Sequence, residues 1–373
     1  MPGNFPDTFA SIFGESRSVI AGKKKGQLNK PLGLYNVMFN DEVNILTGNG
    51  LGGGSLINAS IALRPNHEDF EQQEWPRALR DVSVLAPYYN MVARQRSLTL
   101  TPYDQVPKMR ARRLAAERII QERGFYDRSN VSIMYDHRHL DDQMRNPQGM
   151  IQRPCTLCGD CITGCNIGAK NNLLMTYLPV EKHNGTEFYT QCEVQSIEKH
   201  DGYYRLNLIY FDETKHGEVT RNPVSITSSM VVVGAGSPSS TMILLNSRRD
   251  SFEFSPALGY NWSGNGDTIG FVTDMSGPTN IGGFGAYDDG SCRPGVGITV
   301  QSSLNYYSNE ALFRRLLIQD GAGDRAVHSF LPATRWLVCP LTHAGASMSP
   351  LWLLIAILVL AIVGFVLGRQ RAL

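Results

Sequence analysis

Two stretches of the 373-residue chain place residue types at spacings that can do chemistry. The first is Gly48-Asn49-Gly50-Leu51-Gly52-Gly53-Gly54-Ser55-Leu56-Ile57-Asn58, in which five of the first seven residues are glycine. Glycine takes positive φ without a Cβ penalty and lets a ligand approach bare amides. Set between the apolar residues 43–47 and the segment 59–63, the run reads as strand, glycine turn and helix start. In that geometry N–H groups converge on an anion such as a pyrophosphate. Gly48, Gly50 and Gly53 also satisfy G-x-G-x-x-G, but a first βαβ unit needs an acidic strand end about twenty residues on. The chain instead continues into Arg64-Pro65-Asn66-His67-Glu68-Asp69, a polar loop containing proline. A glycine-rich hairpin without a ligand is the competing reading.

The second stretch is Cys155-x2-Cys158-x2-Cys161-x3-Cys165, while Cys192, Cys292 and Cys339 are scattered. Such short gaps wrap thiolates around one centre. They match the bacterial ferredoxin run, whose fourth cysteine ligates another cluster and precedes proline. Here Cys165 precedes Asn166, and there is no second cysteine run. A 4Fe-4S cluster held by Cys155, Cys158, Cys161 and Cys165, a zinc knuckle, two local disulfides and plain structural thiols all satisfy the spacing.

Elements must hold these stretches in place. Residues 228–233 form a continuous apolar run of the kind buried in a parallel sheet. It enters Gly234-Ala235-Gly236-Ser237, after which Thr241-Met242-Ile243-Leu244-Leu245 starts a helix. This second turn also faces a pyrophosphate well, with the tight βα turn of any α/β sheet as the alternative. The two glycine sites are far apart in sequence, so a single nucleotide domain has to be assembled from discontinuous segments. Residues 187–197 and 203–211 alternate apolar and polar types and read as strands joined at His200-Asp201-Gly202. Residues 1–42 read as an irregular opening with an exposed turn at 22–26, and 126–150 as a polar surface loop.

With 42% hydrophobic and 18% charged residues the chain is globular in composition, and its formal charge of +1 gives no field that would select nucleic acid. The basic segment 108–123 places Leu114, Ala115, Ile119 and Ile120 at helical spacing, which predicts an amphipathic helix with a solvated charged face. Residues 1–20 lack the apolar core of a secretory signal. Residues 351–367 carry no charge and are closed by Arg369-Gln370-Arg371. As a helix this run is about 26 Å long, the short end of what spans a bilayer. It predicts a membrane anchor over 349–368 of open orientation, with a buried core helix as the competing reading.

Five ordered blocks then point to one family. Phe5-Pro6-Asp7-Thr8-Phe9, the glycine run with Ala62-Leu63-Arg64-Pro65 and Trp75-Pro76, and the cysteine block through Gly168-Ala169-Lys170 and Thr176-Tyr177-Leu178 are the first three. Val232-Val233-Gly234-Ala235-Gly236-Ser237 and Trp262-Ser263-Gly264-Asn265-Gly266-Asp267 complete the set. Together they resemble the glucose-methanol-choline (GMC) flavoprotein oxidoreductases, in the cholesterol-oxidase-like branch. The resemblance implies an α/β fold: a partial, Rossmann-like FAD-binding domain from discontinuous segments, an interleaved α+β substrate domain and a C-terminal transmembrane helix. FAD-binding segments would occupy 1–63 and 179–275, a substrate or cap segment with the cysteine element 64–178, and the start of a substrate-domain sheet 276–340.

By position, the resemblance puts Gly53, Gly54 and Asn58 at the FAD pyrophosphate and ribityl chain, and Ala59 and Ile61 beside the isoalloxazine ring. Val194 would meet adenine through its backbone, Gly236 the pyrophosphate from the far side, and Asn265 the substrate channel. It further implies oxidation of a bulky apolar alcohol, steroid or long-chain, with no electron acceptor specified. The first βαβ unit and the final segment with the catalytic histidine are expected to be missing, so no catalytic base is assigned; His328 and His343 read as surface residues. An iron-sulfur electron-transfer protein and a membrane-anchored binding protein without catalysis are the alternatives.

Overall fold

The computed structural model describes residues 16–20, 32–39, 43–101, 106–119, 124–135, 143–165, 167–214, 218–270, 272, 279, 296–306 and 316–323. They belong to two units: residues 187–274 form the smaller, and the chain on either side of it forms the larger.

In the larger unit, β1 (Ser16–Ile20) runs parallel to β2 (Tyr35–Phe39), and β2 pairs antiparallel with β3 (Ile45–Gly48). This corrects the irregular opening expected over 1–42. Parallel pairing joins strands by a crossover rather than a tight turn, so the turn signal at 22–26 does not announce it. Tyr35 lies opposite Gly48, at the point where β3 hands the chain to the glycine run. That run closes in a 3₁₀ turn, Gly53–Leu56, and the helix expected from residue 59 does not form. Ser60 instead takes a left-handed φ of 64°, and Ile61 bridges to Val131.

Next come α1 (His67–Phe70) and α2 (Val82–Gln95), the latter capped by Asp81, whose carboxylate accepts from the Ser83 N–H at 2.9 Å. Strand β4 (Thr99–Leu100) pairs with β6 (Asn130–Val131), and β5 (Gly124–Arg128) pairs with β12 (Ser302–Tyr306), which also takes β13 (Leu316–Gln319). Between them lies α3 (Pro107–Ile119), the helix predicted over the basic segment. Its inward face differs from the one predicted: Lys108, Met109 and Ala116 are buried, whereas Leu114 is 55% exposed. The hairpin β7 (Met144–Arg145) and β8 (Ile151–Gln152) and the helix α4 (Tyr177–His183) complete the unit.

Its core gathers Val131, Ile133, Cys155, Leu157, Cys161, Ala169 and Ile298. The segment read as a surface loop thus contributes to the centre of the unit. Val131, Ser132 and Ile133 are all buried, so the alternation that marks a half-buried strand is missing from them.

The smaller unit is an antiparallel meander of β9 (Cys192–His200), β10 (Tyr203–Glu213) and β11 (Val219–Ser228), turning at residues 201–202. Helix α5 (Ser237–Asn246) packs on β9. The Ser247 hydroxyl at its end accepts from the Ile197 N–H at 2.7 Å and donates to the Ile243 carbonyl at 2.5 Å. The buried strand expected at 228–233 is absent: Met230 is 75% and Val232 87% exposed. Apolar β-branched residues need a neighbouring strand to become one, and beyond Ser228, which ends β11, none pairs with this run among the described residues.

Residues 351–367, expected as a membrane anchor, lie outside the described residues, as do Phe5 to Phe9, Cys292, Cys339, His328 and His343. Among the described residues no helix is long and apolar enough to cross a membrane.

Candidate functional site

Strand β3 delivers the chain to a tight glycine loop. A Cβ on Gly48 would stand 2.5 Å from the Gly53 carbonyl oxygen and 2.8 Å from its carbon, so two backbones touch where only glycine fits. Asn49 fixes the outer side, its N–H donating to the Leu34 carbonyl at 2.7 Å and its side-chain amide to the Gly33 carbonyl at 2.6 Å. The turn needs left-handed backbone at Gly50, Gly52 and Gly53, with φ of 140°, 104° and 53°.

The glycine composition predicts bare amides here, and the structure corrects that in part. Gly53 donates to the Gly50 carbonyl, Ser55 to that of Gly52, and Ile57 and Asn58 both to that of Gly54. The loop's own turns consume those N–H groups. What remains is shape: a Cβ at Gly53 or Gly54 would meet nothing within 4 Å. The open side of the loop lies over these two glycines.

Downstream, the Asn58 side-chain oxygen accepts from the Ser60 N–H at 3.2 Å, holding the left-handed Ser60. The Ser60 carbonyl accepts from the Ser132 N–H, and the Ala62 N–H donates to Asn130, each at 2.8 Å. Gly53, Gly54, Asn58, Ala59 and Ile61 therefore form one short segment fastened along β6, with Asn58 exposed and Ala59 and Ile61 half-buried.

Lys170 holds this segment from beneath. Its ammonium, on a residue only 2% exposed, donates to the carbonyls of Leu56 at 3.0 Å, Asn58 at 2.6 Å and Cys161 at 2.9 Å. An ammonium has three N–H bonds, and each finds a carbonyl. Burial drives the Lys170 pKa down to about 8, against the opposing influence of Cys161 and Cys165. Ser55 adds a second tie, its hydroxyl donating to the Gly52 carbonyl and accepting the Leu173 N–H at 3.1 Å. Sequence reading gives neither residue a role; the only hint for Lys170 is its place at the end of the cysteine block.

The cysteines make a mould. Cys155, Cys158 and Cys161 are buried and Cys165 half-buried, all as free thiols. The 3₁₀ turn Cys161–Thr163 ends in the left-handed residues Gly164 and Cys165, with φ of 105° and 43°. Tyr35 on β2 donates its hydroxyl to the Ile162 carbonyl at 2.8 Å, and Thr299 donates to the Gly159 carbonyl at 3.2 Å. Burial pushes the Cys155 and Cys158 thiols well above their ordinary range, and the neighbouring thiols push the same way. Burial likewise raises Cys165. Among the described residues no group of three or more His, Cys, Asp and Glu side chains is placed to hold a metal ion, so the ligand set expected of these four cysteines receives no support. Cys155 and Cys161 pack with Val131, Ile133 and Ile298, and Cys165 against that cluster.

A buried ion pair braces the same wall. Lys108 on α3 meets Asp320 at 2.6 Å, and the side chains are 3% and 4% exposed. Lys108 also donates to the carbonyls of Ile298 and Thr299. Asp320 accepts the N–H groups of Gln301 and Ser302 and the Ser302 hydroxyl. Burial alone would raise the Asp320 pKa, but the Lys108 charge and these hydrogen bonds hold it below the usual carboxylate value. Burial lowers the Lys108 pKa, with Asp320 opposing.

The other sequence-predicted positions belong to the smaller unit. Val194 is half-buried in β9 opposite Leu208, beside an irregularity in the register. Gly236, with φ 80°, caps the start of α5, and Asn265 sits exposed in irregular chain. The structure therefore gathers Gly53, Gly54, Asn58, Ala59 and Ile61 in one unit and Val194, Gly236 and Asn265 in the other. Of the described histidines, His67 pairs with Glu71 at 2.9 Å, and His200 meets Glu198 at 3.4 Å while stacking on Tyr203.

Comparison with known proteins brings the chain into a lineage. Residues 32–261 match the family described as GMC oxidoreductase. A cholesterol oxidase of Mycobacterium tuberculosis is 25% identical over 221 residues, covering 55% of this chain and 36% of its own. A cholesterol oxidase of Acinetobacter baumannii is 25% identical over 183 residues, covering 46% and 32%. The chain spans about a third of the length of the curated relatives it matches.

Proposed function

The chain belongs to the GMC oxidoreductase family, and from that membership we propose that it binds FAD and takes part in oxidising the CH–OH group of a bulky apolar alcohol. The observation that carries the proposal is the open face over Gly53 and Gly54, where a Cβ would meet nothing within 4 Å, on a loop locked by the contact of Gly48 with Gly53. The family implies FAD, and a space left by glycine on a rigid backbone suits close approach by a flat or phosphorylated group. The left-handed Gly53 and the exposed Asn58 at the rim of the same segment fit that group.

FAD, when bound, supplies the two-electron acceptor for hydride from the carbinol carbon. Gly53 and Gly54 admit the cofactor to the backbone, and the Asn58 amide offers a donor at the loop's end. Ala59 and Ile61 would form the wall beside the ring, held by the Ile61 bridge to Val131. For Val194 and Gly236 as cofactor contacts, and Asn265 as a polar group of the substrate channel, the support is family membership. The apolar substrate is supported by the cholesterol oxidases among the relatives. The uncharged residues 351–367 support attachment to a membrane where such an alcohol resides.

Gly54→Ala tests the site directly. The substitution meets open space, and Gly54 lacks a left-handed φ, so the apo fold is expected to keep its unfolding midpoint. The added methyl enters the space reserved for the cofactor, and FAD affinity, read by quenching of flavin fluorescence on titration, is expected to fall about tenfold or more, as for a clash of about 1–3 kcal/mol. Equal affinity in Gly54→Ala and wild type would move the cofactor elsewhere. A wild-type chain that takes up no flavin would refute the proposal.

A further inference from the structure

We infer that Lys170 is the positioning residue for the glycine loop, a buried cation that sets the loop in the shape the cofactor requires; the inference rests on the reading of Gly53 and Gly54 as the cofactor cradle. Three facts converge on it. The ammonium is capped by three backbone carbonyls and sits on a residue 2% exposed. Two of those carbonyls, Leu56 and Asn58, flank the end of the 3₁₀ turn, and the third, Cys161, opens the turn of the cysteine element. No carboxylate pairs with Lys170 among the described residues; its three hydrogen bonds all go to backbone carbonyls.

A lysine spent in this way does what an apolar residue cannot. Carbonyls at the end of a tight turn point outward from it, and without a donor they swing towards water. One ammonium draws the Leu56 and Asn58 carbonyls to a common point, which fixes the Leu56–Ile57 and Asn58–Ala59 peptide planes on either side of the Ile57–Asn58 peptide. The Ile57 and Asn58 amides are thereby held against the Gly54 carbonyl, at 3.2 and 3.0 Å, and the open face of Gly54 keeps one orientation. The third bond, to Cys161, ties that orientation to an element braced by Tyr35 and Thr299. The cysteine block is the abutment and Lys170 the pin.

The test uses the full chain carrying Lys170→Met, which keeps the length and removes the charge, and Lys170→Gln, which restores at most two N–H donors. Amide hydrogen exchange is followed for peptides covering residues 53–61, with β9 and β10 as the reference, alongside FAD titration. Loss of a charge-assisted hydrogen bond predicts exchange about tenfold or more faster in the loop of Lys170→Met, unchanged exchange in β9 and β10, and FAD affinity weakened by a similar factor. Lys170→Gln is expected to fall between, which mere loss of packing would not produce; it also carries the test if Lys170→Met does not fold. Unchanged loop exchange refutes the pin, and faster exchange with undiminished FAD affinity refutes its service to the cofactor. A wild type that takes up no flavin refutes the cradle itself, whereas a wild type that takes it up no better than Lys170→Met refutes Lys170 alone.

Discussion

Breaking the Lys108–Asp320 pair one partner at a time should cost more than removing both. The carboxylate and ammonium approach to 2.6 Å with side chains 3% and 4% exposed, so neither has water to fall back on. In Asp320→Asn the remaining oxygen still accepts from Gln301 and Ser302, but the ammonium keeps only the Ile298 and Thr299 carbonyls and no countercharge. An uncompensated buried charge of that kind costs about 3–5 kcal/mol. Lys108→Met should cost somewhat less, because the Asp320 carboxylate keeps three donors. The double variant buries no charge and should be no worse than the milder single one, a coupling on the order of 3 kcal/mol. Because the chain has two units whose transitions can overlap in bulk signals, the assay is amide exchange in α3 across a urea series. Acid gives a second readout. Asp320 is held below its ordinary 3.8, so its stabilising share is complete above that value and drains as pH falls through the depressed pKa. Asp320→Asn should lose that acid dependence. Single costs that add in the double variant to within about 0.5 kcal/mol would show the pair to be uncoupled, and the reasoning would fail.

Two more variants probe the frames around the site. Gly48→Ala places a methyl 2.5 Å from the Gly53 carbonyl oxygen, so the loop must move; a stability loss of about 1–3 kcal/mol and loss of flavin uptake are expected, measured by urea denaturation and FAD titration. Ser247→Ala strips the acceptor from the buried Ile197 N–H, and faster exchange of the β9 amides, by about 1–3 kcal/mol of local opening energy, should be seen with the glycine loop unaffected.

What the sequence discloses here is local. A β-branched run ending in glycine marks β3 and its turn, because both signals lie within a few residues. The meander of β9 and β10 is legible for the same reason: alternation and a Gly202 turn sit side by side. Lys108 reads as part of a solvated face, since the composition around it resembles one; its partner Asp320 is more than two hundred residues away, and only the fold brings them together. Lys170 is hidden differently. Its acceptors are backbone carbonyls, which every residue possesses, so no spacing of side-chain types encodes the site. Residues 228–233 show the converse, for an apolar run signals a strand only where another strand stands ready to pair.

The cysteine element shows why a tight spacing is an ambiguous sign. Four thiols within eleven residues resemble a ligand set, and a ligand set requires thiolates. Here Cys155 and Cys161 pack in the apolar core with Val131, Ile133 and Ile298, where cysteine behaves as a small apolar residue. A small apolar side chain is what this wall needs. The turn at Cys161–Thr163 runs straight into left-handed residues, and its carbonyls must reach Tyr35 and Lys170 at once, while that of Gly159 just before it reaches Thr299. Bulkier residues would fill the core at the expense of that backbone. The same compactness that places thiols close in sequence thus presents the Cys161 carbonyl to Lys170, and through it shapes the loop over which a cofactor is proposed to lie.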